Sequence, residues 1–388
     1  MKIAFLRYPE VLYKSGKINR GGSEIANQQI IDFLRSNGDE VVEFSPTNPE
    51  RVKLVGISGL GTPLMFQDLI KKIDKINRCD VLVSTNWFGA ILPEVKIPCV
   101  TIFHSCASWL SDSVRNINQS ETDSISRWAK RAKKYSLEHS CGEDLHERVI
   151  AVEEKYFAQN SNHVIAVSAA LLDAMHKYYD FDENRASVIN NPFASQWEEI
   201  NTKKTFSNNM EIVCVTRMGG NYSSFVGKGG DRIMEILSRF QDKKINIAFS
   251  TDFRGYGELI NEYLENANYQ SNISHDGVGK LLAKSHISIH CSRCEACQMT
   301  LIESMYMKTV PITYEVGVAG ELIDHGKNGF IVTSVDEAER IIKELYNDPD
   351  RAEKIANRAR ETAEKLSIER IGPKYQEILK RTIRTSAN

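Results

Sequence analysis

Short runs of apolar, largely β-branched residues alternate along the chain with stretches whose apolar positions repeat at helical spacing, the pattern of parallel α/β sheets. In the first half this predicts strands at 2–6, 40–44, 80–84, 98–103, 163–167 and 187–190. Between the first two, Ile25, Ala26, Ile30, Phe33 and Leu34 share a helical face and Asn37-Gly38 supplies a left-handed stop, completing one β-α-β unit. The second half repeats the pattern, with strands predicted at 211–216, 245–249, 271–274, 286–290, 309–313 and 329–332. The turn Asn190-Asn191-Pro192-Phe193 and the polar stretch 201–209 separate the halves, which sets a domain boundary near residue 195. From residue 335 onward the chain turns charged and helical; Pro373 interrupts the last helical pattern, and a final helix is predicted at roughly 371–383. The excursion between strands 98–103 and 163–167 lacks strand character and is expected to hold helices or a lid.

The length, 388 residues, suits two or three domains, and 41% hydrophobic residues are enough for sizeable cores. Lys and Arg number 49 against 51 Asp and Glu, a net charge of −2 that gives no electrostatic reason to expect nucleic acid as a partner. The opening stretch, Met1 to Pro9, is too short in apolar residues for a signal peptide, and no apolar run approaches bilayer length. The expectation is a cytoplasmic protein whose cysteines are reduced thiols.

Three segments carry candidate chemistry. Gly21-Gly22-Ser23-Glu24 opens the first helix, where glycines admit a ligand to the backbone and the free N–H groups of a first helical turn favour an anion such as a diphosphate. Thr216-Arg217 ends a strand and leads to Gly227-Lys228-Gly229-Gly230-Asp231, two cations flanking a loop of small residues that suits a pyrophosphate. It is not a Walker A loop, because Gly229 follows Lys228 where Ser or Thr is required. The third segment runs from His290 through Cys291, Cys294, Glu295 and Cys297 to Gln298-Met299-Thr300 and Glu303. Glu295 falls in a loop at the sheet's carboxyl edge and Glu303 about two turns later, so the carboxylates can accept from sugar and ribose hydroxyls while backbone N–H groups of 297–300 face phosphate. The spacing of Cys291, Cys294 and Cys297 matches part of a ferredoxin cluster run, but Leu301 and Ile302 stand where the fourth Cys and a Pro are needed. Small buried hydrophobes are the expected role for these thiols, and no metal site is expected.

Glu295-x7-Glu303, Pro311 and Gly317-Val318-Ala319-Gly320-Glu321-Leu322-Ile323-Asp324-His325-Gly326-Lys327-Asn328-Gly329-Phe330 resemble the carboxyl-terminal half of family-4 glycosyltransferases. Arg217 and Lys228 match that family's phosphate cations, Gly21-Gly22 its amino-terminal glycine loop, and His163 to Ser168 with Val188 to Pro192 extend the likeness over nearly the whole chain. The resemblance implies an α/β protein of GT-B fold: Rossmann-like domains at 1–195 (acceptor) and 196–370 (donor) facing across a cleft, with the C-terminal helix, 371–388, crossing back to the first. It implies a retaining, metal-independent hexosyltransferase that uses a nucleotide-diphosphate sugar, a UDP-sugar first, and needs no cofactor. By that likeness Glu303 holds the ribose, Glu295 the donor sugar, Arg217 and Lys228 the leaving diphosphate, and Cys297, Gln298, Met299 and Thr300 line the donor site. His104, closing strand 98–103, matches the family's active-site histidine. The family usually follows its first glutamate with glycine, an aromatic residue and glycine or proline; Ala296-Cys297-Gln298 departs from this, so the sugar pocket is expected to differ.

The acceptor expected is a carbohydrate, a lipid-linked molecule or a small molecule, in cell-surface glycan or glycolipid synthesis. Within the excursion, Ile125, Trp128, Ala129, Ala132 and Tyr135 alternate with Arg127, Lys130, Arg131, Lys133 and Lys134, a basic amphipathic helix over 125–137 that offers either internal packing or peripheral contact with the inner face of a membrane. Two other readings of paired α/β halves are a sugar-nucleotide epimerase and a non-catalytic ligand-binding protein.

Overall fold

The computed structural model describes residues 1–7, 21–45, 68–85, 89–115, 125–128, 130–131, 143–193, 197, 199–200, 203–219, 222–251 and 255–386. The chain forms two compact units, one of Met1–Ser111, Ser140–Ala194 and Leu366–Asn388, the other of Asp112–His139 and Ser195–Lys365. The predicted domain boundary near residue 195, and Gly220 of the cation loop, lie outside the described residues.

The first unit is a parallel sheet of β1 (Lys2–Leu6), β2 (Glu40–Phe44), β3 (Val81–Thr85), β4 (Cys99–Phe103), β5 (His163–Ala166) and β6 (Ala186–Val188) in the order β2-β1-β3-β4-β5-β6. Its central strands are largely apolar and buried throughout, as strands covered by helices on both faces are. The helices that bear on the candidate residues are α1 (Gly22–Ser36), α2 (Glu143–Asn160) and α3 (Ala169–Tyr179), the last capped by the Ser168 hydroxyl, which accepts from the Leu171 N–H at 3.1 Å.

The second unit has β7 (Ile212–Arg217), β8 (Ile245–Ser250), β9 (Ala267–Ser271), β10 (Ile287–His290), β11 (Val310–Thr313) and β12 (Phe330–Ile331), all parallel, in the order β12-β11-β10-β7-β8-β9. Helices α4 (Gly230–Leu237), α5 (His275–Lys284), α6 (Met299–Tyr306), α7 (Val335–Asn347) and α8 (Pro349–Ala363) flank this sheet. The final helix, α9 (Ile368–Ser386), packs on α1 within the first unit, where Gly372 comes so near Phe33 that a Cβ would sit 2.5 Å from its ring.

Two expectations are corrected. β9 precedes the predicted 271–274, because Asn272 takes a left-handed φ of 51°, its side chain bonds both the N–H and the carbonyl of Thr251, and Ser274 already caps α5. The last helix begins before 371 and runs through Pro373, whose missing N–H costs a single bond near the helix start. The excursion contributes Ile125 and Trp128 to the hydrophobic core of the second unit. The Trp128 indole donates to Glu235 at 3.0 Å, and the Arg131 guanidinium stacks over Trp128 and Tyr263 at 4.4 and 4.6 Å. The part of the apolar stripe that is described therefore packs inside the protein; Ala129 and 132–137 lie outside the described residues. No described helix is long and apolar enough to cross a membrane.

Candidate active site

In a doubly wound sheet a ligand binds beyond the carboxyl ends of the strands where their order reverses, which in the second unit lies between β7 and β10. Arg217 is the last residue of β7 and is exposed there. β10 ends at His290, and the following loop reaches α6 at its N-cap, Gln298, in extended backbone with no side-chain cap. Two close approaches fix this loop. Gly229, in left-handed conformation at φ 68°, lies so near that a Cβ would fall 1.9 Å from the Cys291 carbonyl oxygen; at Gly317 (φ 52°) a Cβ would fall 2.1 Å from that of Glu295. Only glycine fits either position.

The loop so held brings Lys228 and Glu295 together: Nζ lies 2.6 Å from Oε1, which also accepts from the Ser292 hydroxyl at 3.0 Å. Both side chains keep some solvent exposure, so a ligand can reach them. Glu303, just over one turn into α6 and buried, pairs through Oε1 with His275 Nε2 at 2.8 Å. The His275 ring packs on Trp197 with centroids 4.5 Å apart. Gln298 and Met299 are buried, Cys297 and Thr300 half-buried, around the first turn of α6. The result is a cation beside a carboxylate, a second cation at the neighbouring strand end, and a helix N-terminus whose N–H groups lack intrahelical acceptors, a set suited to a diphosphate bearing a polyhydroxyl group.

In the first unit, Gly21 is the N-cap of α1 and Gly22 its first residue. His104 follows β4 directly, and its Nε2 lies 3.0 Å from the Asn27 Oδ1 on α1. Burial pushes the His104 imidazolium down to about 4, so the ring is neutral at neutral pH and serves as a hydrogen-bonding group. Glu154 of α2 holds the next residues by accepting from the Ser105 hydroxyl at 2.9 Å, the Ala107 N–H at 2.7 Å and the Tyr179 hydroxyl.

Comparison with known proteins gives the same assignment from two directions. Residues 20–196 match the model described as Glycosyltransferase Family 4, and residues 258–362 the one described as Glycosyl transferases group 1. The chain belongs to glycosyltransferase family 4. An uncharacterized glycosyltransferase of Methanocaldococcus jannaschii is 25% identical over 232 residues, spanning 56% of this chain and 58% of that protein's length. In fold, the family member is similar to sucrose-phosphate synthase from Thermosynechococcus elongatus (TM-score 0.72, 15% identity, 99% of each chain). It is also similar to Anabaena HepE, solved with UDP and glucose (TM-score 0.66, 16% identity, 98% of this chain and 100% of that one). These likenesses identify the two doubly wound units as the GT-B fold.

In this family-4 member the motif segment is completed by residues to which its spacing assigned no role. Asp231 and Arg293, both deeply buried, form a two-pronged ion pair at 2.7 and 2.8 Å. His275, Ser292, Asn27 and Glu154 likewise join the candidate residues only through the fold, since each is far in sequence from its partner or is an unremarkable polar residue. Cys291 and Cys294 are buried and Cys297 half-buried, and burial pushes the Cys291 thiol up to about 12. Among the described residues no three His, Cys, Asp or Glu side chains are grouped to hold a metal ion.

Proposed function

We propose that the protein transfers a sugar from a nucleotide-diphosphate donor, a UDP-sugar first, to a hydroxyl of a glycan, lipid-linked or small-molecule acceptor, with retention of configuration and without a metal ion. The observation that carries the reading is the Lys228–Glu295 pair at 2.6 Å beside the switch point of the second sheet. Lys228 and Arg217 offset the charge that develops on the leaving diphosphate, the task a divalent ion performs elsewhere. The N–H groups at the start of α6 add to this. Glu295 accepts from donor-sugar hydroxyls and Glu303 from the ribose, the latter exchanging its His275 contact for the nucleotide. In the first unit, neutral His104, oriented by Asn27, is assigned the family's contact with the reacting sugar or the acceptor hydroxyl.

The UDP bound to Anabaena HepE supports a uridine donor. Thermal unfolding with UDP, GDP, ADP and dTDP, each with and without a chelator, tests the reading. UDP alone is expected to raise the midpoint and to do so equally with chelator present; a shift that chelator abolishes makes the site metal-dependent and overturns the mechanism. Incubation with UDP-sugars then separates transfer to an acceptor from epimerisation and from binding without turnover.

A further inference from the structure

The turn that carries Lys228 and the loop that carries Glu295 are fastened by contacts neither residue makes. Arg293 Nη1 donates to the Val226 carbonyl at 2.8 Å and to Asp231 Oδ1 at 2.7 Å, Nη2 donates to Asp231 Oδ2 at 2.8 Å, and the Arg293 N–H donates to the Gly227 carbonyl at 2.8 Å. Asp231 and Arg293 expose only 1% and 4% of their side chains. Arg232 extends the seam, donating to the Cys291 carbonyl at 3.3 Å while stacking over Tyr314 at 3.8 Å. One guanidinium thus grips the residues on both sides of Lys228, and it projects from a position two residues before Glu295. A buried ion pair adds little net stability over an apolar pair of similar volume. Its planar fork does, however, fix geometry more tightly than apolar packing or a lysine can.

We propose that Arg293, through Asp231 and the Val226 and Gly227 carbonyls, is a positioning residue that holds Lys228 and Glu295 at the separation donor turnover requires. The inference rests on the donor-site reading above. Small misplacements of catalytic groups cost about a hundredfold in rate, so Arg293→Lys, which keeps the charge but loses the fork, is expected to lower kcat/KM for the donor by about that factor.

The test is a double-mutant cycle of Arg293→Lys with Lys228→Ala, with folding of each variant checked by circular dichroism. If Arg293 acts through Lys228, the arginine change costs almost nothing further once Lys228 is gone; additive losses give Arg293 a general structural role and overturn the proposal. Should Arg293→Lys fail to fold, the pair Arg293→Met with Asp231→Leu removes the buried charges together, and the same non-additivity with Lys228→Ala is required of it. A Lys228→Ala enzyme with unchanged donor kinetics defeats the donor-site reading itself, and the positioning role with it, which separates the two failures.

Discussion

Gly229 shows at a single residue how the backbone builds this site. Its left-handed φ of 68° costs a non-glycine residue about 1–3 kcal/mol, and a Cβ there would also overlap the Cys291 carbonyl. Gly229→Ala is therefore expected to lower stability by at least about 2 kcal/mol and to part Lys228 from Glu295, seen as a lower denaturation midpoint together with weaker nucleotide binding. Ionisation at the residue scale gives two further expectations. Because burial holds His104 near 4, its charge does not change between about 5 and 8. His104→Gln should shift the level of the pH–rate profile without removing an inflection near the ordinary histidine value of about 6.5. Glu153 behaves oppositely: burial first, then the neighbouring Glu154 carboxylate, raises it to about 8. The folded chain then binds more protons than the unfolded one between about 4.5 and 8, so stability falls as pH rises through that window. Glu153→Gln should flatten this fall in a series of melting curves, and a curve as steep as the parent's would rule it out.

Elements were legible where their signal was local. Eleven of the twelve strands fall within a residue or two of the short apolar runs that predicted them, most plainly the central strands, whose burial on both faces writes itself into consecutive apolar residues. β9 is the exception: Ala267–Ser271 is a half-exposed edge strand of Asn, Tyr, Gln and Ser, which carries no such run. The motif loop was readable for the same reason, since Lys228, Glu295 and Glu303 sit at strand ends and helix starts that the pattern fixes. What could not be read is pairing across sequence distance, such as Asp231 with Arg293 or Glu303 with His275. The excursion is the sharpest case, because helical spacing revealed the stripe of Ile125 and Trp128 but not the surface that receives it. Trp128 now fills a space in the second unit's core and donates to Glu235, so Trp128→Ala is expected to destabilise that unit by about 3–5 kcal/mol.

At the scale of the whole molecule, the candidate donor residues from Arg217 to Glu303 belong to the second unit, while His104 and the candidate donor glycines Gly21 and Gly22 belong to the first. A nucleotide that binds Lys228, Glu295 and Glu303 stabilises the unit holding them, by about 2.7 kcal/mol at a hundred times its dissociation constant. For a unit of this size that raises the midpoint by about 5–10 °C. Of the four tryptophans, Trp87 and Trp109 belong to the first unit and the buried Trp128 and Trp197 to the second. With two tryptophans in each unit, fluorescence reports on both, and the transition that the nucleotide should protect is the one followed by Trp128 and Trp197. UDP is expected to raise the fluorescence midpoint of the wild type, Lys228→Ala to abolish that rise without itself unfolding the protein, and Trp128→Ala to lower the midpoint while leaving a rise of similar size. If UDP moved Lys228→Ala as far as the wild type, the nucleotide would be binding without the cation that the mechanism relies on. If Trp128→Ala lost the rise altogether, the docking of the excursion would be needed for the donor site as well as for the core.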